Sequence, residues 1–316
     1  MTSTTIIRKD AKVVNVATVS HYSPFRYPGG KTWFVPHLRS WLRSLPRKPM
    51  TFLEPFAGGA IVGLTVGIEN LARQVILSEL DDSVASVWEC IFSPDCDWLS
   101  KQILEYPMSR ENVIASLAKK AVTSKERAFQ TILRNRVQRG GILAPGATLV
   151  KNGENGRGVA SRWYPKTLAD RIAMIRESSH KFEFVQADAL TMIRRHLRRT
   201  TTAFFVDPPY TAGGKSAGSR LYAHNQIDHE AMFALLAKAV GPVLMTYDNA
   251  PEVRKLAQKF GFQVEEVPMK NTHHAVMHEL VISNMGTCSS QTTHRQVATI
   301  LKAKLAMARD TANELF

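Results

Sequence analysis

Phe52-Leu-Glu-Pro-Phe-Ala-Gly-Gly59 is the stretch that decides the fold, because it leads from an apolar strand through two glycines into an apolar helix. A second apolar strand, 74–78, follows that helix, so the pattern predicts a βαβ unit. Glycines after a strand let the backbone approach a ligand at the carboxyl end of a parallel sheet. The loop lacks the G-x-G-x-x-G pattern of dinucleotide-binding proteins, and its Glu54 favours a cationic ligand.

The alternation of apolar runs and amphipathic stretches continues toward the C-terminus. Further strands are predicted at 182–186, 202–207, 243–247, 262–267 and 279–283. Between 85 and 179 the strand signal fades, and helical patterns surround a Gly-rich stretch. We therefore predict an α/β fold with a mostly parallel sheet and an inserted, largely helical domain. The predicted division is 1–84 and 180–284 for the two parts of the α/β domain, 85–179 for the insert, and 285–316 for a C-terminal helical extension.

Composition limits the classes of function. A total of 41 Lys and Arg residues against 27 Asp and Glu residues gives a net charge of +14, which favours a polyanionic partner such as nucleic acid. Cys90, Cys96 and Cys288 have neither metal-ligand nor disulfide spacing, so we expect free thiols, no metal and a cytoplasmic protein. No signal-peptide or transmembrane stretch is present, which argues against a membrane function.

Glu79 ends the second predicted strand, 21 residues after Gly58 (79 minus 58). This spacing is close to the roughly 20 residues at which an acidic side chain meets the ribose hydroxyls of a nucleotide. A strand-end turn with a solvated carboxylate is the alternative interpretation. A nucleotide hydrolase is disfavoured, because Phe25 stands where the first glycine of a phosphate loop ending at Lys31 would fall.

Thr202-Ala-Phe-Phe-Val-Asp-Pro-Pro-Tyr210 is the strongest functional signal, since it places Asp-Pro-Pro-Tyr directly after an apolar strand. An exocyclic amine on adenine is a poor nucleophile because its lone pair is delocalised into the ring. Hydrogen bonds from its N–H groups to Asp207 and to the Pro208 carbonyl would localise that lone pair for attack on an electrophilic methyl group. Pro209 stiffens the turn, and Tyr210 offers a ring on which an extruded base can stack. A plain strand-ending turn is the alternative.

With these motifs in order, the sequence resembles the D12 class of N6-adenine DNA methyltransferases, the group that includes Dam, through Asn284. The resemblance implies a Rossmann-like methyltransferase sheet that uses S-adenosylmethionine, a target-recognition domain at 85–179, and catalysis by Asp207, Pro208, Pro209 and Tyr210. The residues that it implies for cofactor binding are Tyr27, Gly29, Gly30, Lys31, Glu54, Phe56, Gly58, Glu79, Asp188 and Asp207.

The insert contains Arg134-Asn-Arg-Val-Gln-Arg139, which is similar to the family stretch that approaches DNA. We therefore predict that Arg134, Asn135, Arg136 and Arg139 bind double-stranded DNA, although an ordinary charged helix face is the alternative. The sequence leaves open methylation of cytosine N4 or of an RNA base, and also a catalytically silent DNA-binding regulator. It also leaves open the oligomeric state and whether a cognate restriction endonuclease is a partner.

Overall fold

The computed structural model describes residues 5–7, 13–26, 29–209, 227–270 and 276–285. Outside these residues lie the segment 213–225, which the sequence predicts to be a loop, the C-terminal extension after Met285, Tyr27, Tyr210 and Cys288. The strands are β1 (Thr5–Ile7), β2 (Thr51–Glu54), β3 (Gln74–Glu79), β4 (Phe182–Gln186), β5 (Thr202–Val206), β6 (Val243–Asp248), β7 (Gln263–Lys270) and β8 (Val276–Ser283). The α-helices are α1 (Val35–Ser44), α2 (Ile61–Ile68), α3 (Asp82–Ile91), α4 (Cys96–Glu105), α5 (Arg110–Ala118), α6 (Ser124–Val137), α7 (Pro165–Glu177), α8 (Ala189–His196), α9 (His229–Ala237) and α10 (Pro251–Lys259).

These eight strands form one sheet in the order β1-β7-β8-β6-β5-β2-β3-β4, which confirms the predicted α/β fold. β8 runs antiparallel to both β6 and β7, and the remaining described pairings are parallel. From β2 the chain progresses outward through β3 to β4, and then returns to place β5 on the other side of β2. The gap between the ends of β2 and β5 is therefore the topological switch point, where open parallel sheets bind ligands.

Two apolar layers cover the sheet. One face packs against α1, α2 and α3, and α4, α6 and α7 pack in turn on α3. The other face packs against α8, α9 and α10. Leu99, Ile132 and Ile172 of α4, α6 and α7 belong to the same buried cluster as Phe52 and Phe205 of the sheet, and the domain division stays a prediction. The predicted boundary at residue 84 falls within α3, which packs on β3, β4 and α6.

Three strands differ from their predicted bounds by two or three residues. β2 ends at Glu54, two residues before the end at Phe56 that the sequence predicts, because Pro55 has no N–H group to continue the ladder. β7 and β8 extend beyond the predicted apolar runs and pair from Gln263 with Ser283 to Lys270 with Val276. Backbone pairing continues there past the covered part of the sheet, where alternation of apolar side chains is no longer required.

Candidate active site

The loop after β2 is fixed by a left-handed glycine and by hydrogen bonds to neighbouring elements. Gly58 has a φ of 46°, a left-handed conformation that favours glycine. Its N–H donates to Glu79 Oε2 at 2.9 Å, and its carbonyl accepts from Trp88 Nε1 at 2.9 Å. Ser23 Oγ donates to the carbonyl of the neighbouring Gly59. The loop is thus fixed on three sides, by β3, by α3 and by the segment before α1.

Glu54 places a buried carboxylate at the end of β2. Its side chain is 3% exposed, and its Oε2 accepts a hydrogen bond from the Gly63 N–H at 2.7 Å. A methyl group at residue 63 would stand 2.4 Å from that oxygen, so glycine is what lets α2 approach β2 this closely. Burial raises the pKa of Glu54 well above its ordinary value, and the charge of Asp207 raises it further.

Glu79 holds the neighbouring turn by accepting backbone hydrogen bonds. Its donors are the N–H groups of Gly58, Leu80 and Asp81, at 2.9, 2.8 and 3.0 Å. Burial raises the pKa of Glu79, although these donors stabilise the carboxylate form. The side chain also lines the cavity described below, so it is available to a ligand as well as to the turn.

Asp207 follows β5 on the opposite side of the switch point. Its Oδ1 accepts from Thr246 Oγ1 at 2.7 Å and lies 3.1 Å from Lys31 Nζ. Lys31 also donates to the Gly29 carbonyl at 3.1 Å and lies 3.3 Å from Glu279 Oε2. Burial raises the pKa of Glu279 to about 7; the charge of Lys31 opposes this shift and the charge of Asp207 adds to it.

One cavity of about 700 Å³ opens between these loops, a size within the range of small-molecule binding sites. It brings together every described residue that the sequence predicted for cofactor binding or catalysis. These lining residues are Gly29, Gly30, Lys31, Glu54, Phe56, Gly58, Glu79, Asp188, Asp207, Pro208 and Pro209. Their individual roles stay predictions, as do those of Tyr27 and Tyr210.

The predicted DNA-binding stretch divides into buried and accessible side chains. Asn135 is fully buried and binds the N–H and carbonyl of Arg26, at 2.8 and 2.9 Å, and the Gly141 carbonyl. Arg136 is 4% exposed and donates to the Pro24 carbonyl. These two side chains are buried against the segment before α1, and their predicted contact with DNA stays a prediction. Arg139 is exposed and Arg134 partly so, and both stay candidates for DNA contact.

Sequence reasoning missed Thr246 and Glu279. Both lie on the sheet face that carries Asp207, because Thr246 pairs with Val281, two residues from Glu279. Glu279 belongs to an antiparallel strand, whose beginning lies where the parallel strands end. The polar residues within the apolar runs of β6 and β8 were the available signal.

Neither a metal centre nor a membrane span emerges from the described residues. They include no group of three or more His, Cys, Asp or Glu side chains that could hold a metal ion. In the same part of the chain, every helix is too short or too polar to cross a membrane.

The sheet order, with β8 inserted antiparallel between β6 and β7 and the cavity at the switch point, is the Rossmann-like fold of the methyltransferase class. The chain belongs to the D12 class N6 adenine-specific DNA methyltransferase family, whose family model matches residues 27–271. This confirms the family resemblance and the class of enzyme.

Solved structures with similar folds are distant in sequence. A candidate RNA methyltransferase from Pyrococcus horikoshii has 10% identity and a TM-score of 0.38, with 85% of this chain and 92% of that chain covered. The rRNA methyltransferase aviRa from Streptomyces viridochromogenes has 16% identity and a TM-score of 0.35, with 85% and 89% covered. A precorrin-6y C5,15-methyltransferase from Geobacter metallireducens has 8% identity and a TM-score of 0.32, with 78% and 83% covered. Similarities this low carry no functional argument, and no curated protein sequence matches the chain.

Proposed function

We propose that the chain transfers a methyl group from S-adenosylmethionine to the N6 amino group of adenine in double-stranded DNA, acting on an extruded base. The observation that carries the proposal is the position of Asp207 and the two prolines in the same cavity as the glycine loop and its carboxylates. Family membership supports adenine as the target, and the net charge of +14 supports a nucleic-acid substrate.

The cavity residues fit S-adenosylmethionine. Gly29, Gly30 and Gly58 line it without side chains, which leaves backbone surface against a ligand. Glu54 and Glu79 line it with carboxyl groups, and a cationic sulfonium compound would favour their ionised form. Glu54, Glu79 and Asp188 would hold this cofactor, and when bound it supplies an electrophilic methyl group.

Asp207 and the Pro208 carbonyl would accept hydrogen bonds from the target amine. An amine held by two acceptors keeps its lone pair out of conjugation with the ring, which makes it a better nucleophile. Thr246 and Lys31 fix the Asp207 carboxylate, so little reorganisation is required when charge develops on the amine. The proline pair limits the backbone freedom of the turn that presents both acceptors.

Recognition of DNA is assigned in this proposal to the helical segment 85–179. Arg139 is exposed beside Gly140, and Gly140 lines the cavity. A basic side chain at this position suits phosphate or a guanine edge near the extruded base. Tyr210 is proposed to stack on that base.

The test is transfer of labelled methyl from S-adenosylmethionine to unmethylated duplex DNA, followed by nucleoside analysis. We expect label on N6 of deoxyadenosine, and a fall of at least about 100-fold in Asp207→Ala, since a fixed acceptor is lost. Asp170→Ala is the matched control, because it removes an exposed carboxylate that pairs with Lys166 four residues earlier. Label on cytosine or only on RNA would overturn the substrate, and DNA binding without any transfer would favour a silent regulator.

Extrusion of the base is tested separately with 2-aminopurine at the target position. Its fluorescence rises when the base leaves the stack, so we expect an increase on binding to cognate duplex. Unchanged fluorescence at a site that is methylated would contradict the extruded-base step.

A further inference from the structure

Lys31 carries a charge whose partners are all supplied by the protein. Its side chain is 3% exposed, and an ammonium group has three N–H donors. Three oxygens lie around Nζ, from Gly29 at 3.1 Å, Asp207 at 3.1 Å and Glu279 at 3.3 Å. Nζ donates to the Gly29 carbonyl and forms ion pairs with the two carboxylates, so protein oxygens surround the ammonium before any ligand binds.

Two different elements contact the Oδ1 atom of Asp207. Thr246 Oγ1 from β6 and Lys31 Nζ from the segment before α1 both contact Oδ1. Rotation of the carboxylate would break both contacts at once, so its plane is fixed relative to the cavity. The Thr246 side chain is fully buried, so its hydroxyl must be hydrogen-bonded inside the protein. Valine has the same shape but could not donate to Asp207.

Glu279 places a second carboxylate on the same ammonium. It is 8% exposed, and the charged groups that act on it are Lys31, Asp207 after β5 and Asp248 of β6. Its direct neighbour on β7 is the apolar Val267, and Glu265 lies two residues before Val267 in that strand. When Glu279 is ionised, Lys31 is shared between two carboxylates, and Asp207 keeps more of its negative charge for a hydrogen-bond donor in the cavity.

We propose that Lys31, Thr246 and Glu279 are positioning residues that fix the Asp207 carboxylate and set its strength as a hydrogen-bond acceptor. This role replaces direct cofactor binding for Lys31 and rests on the proposed function of Asp207. Because burial raises the pKa of Glu279 to about 7, methyl transfer should accelerate as pH rises through this value. A purely structural Glu279 would not produce that dependence.

The first test uses Glu279→Gln, with Glu265→Gln as the control for a buried glutamate on the same sheet face. We expect Glu279→Gln to keep the affinity for S-adenosylmethionine within about twofold, to lower single-turnover transfer about 10- to 100-fold, and to remove its rise near pH 7. Glu265→Gln should keep the rise. An unchanged rate and pH profile in Glu279→Gln, or a loss explained wholly by cofactor affinity, would overturn the proposal.

The second test uses Thr246→Ser and Thr246→Val, which separate the hydroxyl from the shape of the side chain. We expect Thr246→Ser to retain most of the transfer rate, and Thr246→Val to lose about tenfold with little change in cofactor affinity. Equal rates in both variants would contradict a positioning role for the hydroxyl.

A third measurement needs no DNA. In protein labelled with 15N-lysine, the Lys31 Nζ resonance is assigned by its absence in Lys31→Met, and we expect Glu279→Gln to shift it. A shift in protein that does not methylate DNA would leave the network standing and overturn only the proposed substrate. A resonance that Glu279→Gln leaves unmoved would overturn the network, whatever the substrate is.

Discussion

At the scale of single residues, Gly63 decides whether α2 can pack closely against Glu54, which lines the cavity. Its N–H binds Glu54, and a Cβ atom there would lie 2.4 Å from Glu54 Oε2 and 2.5 Å from Leu77 Cδ2. Both contacts are shorter than real Cβ atoms tolerate, so α2 or the carboxylate would have to move. Glycine is required at this position because α2 approaches β2 and β3 closely. Backbone conformation is not the reason, since residue 63 is helical and any residue can adopt that conformation.

We predict that Gly63→Ala lowers the free energy of unfolding by about 1–3 kcal/mol, the usual range for overpacking. It should also weaken binding of S-adenosylmethionine by about tenfold, equivalent to about 1.4 kcal/mol, because Glu54 is displaced. Chemical denaturation and calorimetric titration measure the two effects.

Gly261→Ala is the matched control for Gly63→Ala. Gly261 has a φ of 73° with no atom near its missing Cβ, so alanine there introduces backbone strain of about 1–2 kcal/mol without crowding. Stability should fall while cofactor affinity is kept. Wild-type cofactor affinity in Gly63→Ala would contradict the described contact with Glu54.

At the scale of elements, α6 acts on the cavity through its last turn. The helix begins with a capping box between Thr123 and Glu126 and ends at Val137, beside the segment that leads into the glycines at 29 and 30. Asn135 binds both backbone groups of Arg26, in the manner of a neighbouring strand. These hydrogen bonds join α6 to the segment before α1, which leads into Gly29 and Gly30.

We predict that Asn135→Ala lowers the free energy of unfolding by about 2–4 kcal/mol, because it leaves buried backbone groups of Arg26 and Gly141 without partners. Cofactor affinity should fall with it. Asn112→Ala is the control, because it removes an exposed asparagine that donates to the Pro107 carbonyl, and it should cost less than about 1 kcal/mol. Normal stability combined with a specific loss of DNA affinity would contradict this structural role and support direct contact of Asn135 with DNA.

At the scale of the whole molecule, charge favours a polyanion. The excess of 41 basic over 27 acidic residues gives +14 across the chain. Binding that neutralises phosphates releases counterions, so the affinity for duplex DNA should fall steeply as salt increases.

We predict that Arg139→Gln reduces the slope of log affinity against log salt by about 1, as expected for one lost phosphate contact. Arg43→Gln, which changes an exposed arginine on α1, should leave the slope unchanged. Binding isotherms between low and physiological salt measure both slopes. Equal slopes for the two variants would contradict DNA contact by Arg139.

Much of the catalytic framework followed from the order of residues along the chain. Runs such as 75–77 and 203–206 are apolar and short, so they form buried parallel strands. The glycines follow β2, Glu79 ends β3, and Asp207 follows β5. Because parallel strands finish at one edge, sequence position alone predicted that these residues meet, and the described cavity contains all of them.

Tertiary structure alone decided which polar side chains serve the protein itself. Asn135 and Arg136 belong to a basic stretch that predicts DNA binding, and only the fold shows that packing of α6 against residues 24–26 buries both side chains. Thr246 reaches Asp207 because β6 lies parallel beside β5, and Glu279 reaches Lys31 because β8 turns back antiparallel beside β6 and pairs with residues more than thirty positions away in sequence. Local patterns report which face a residue occupies, whereas the partner across the sheet depends on contacts that form only when the whole chain has folded.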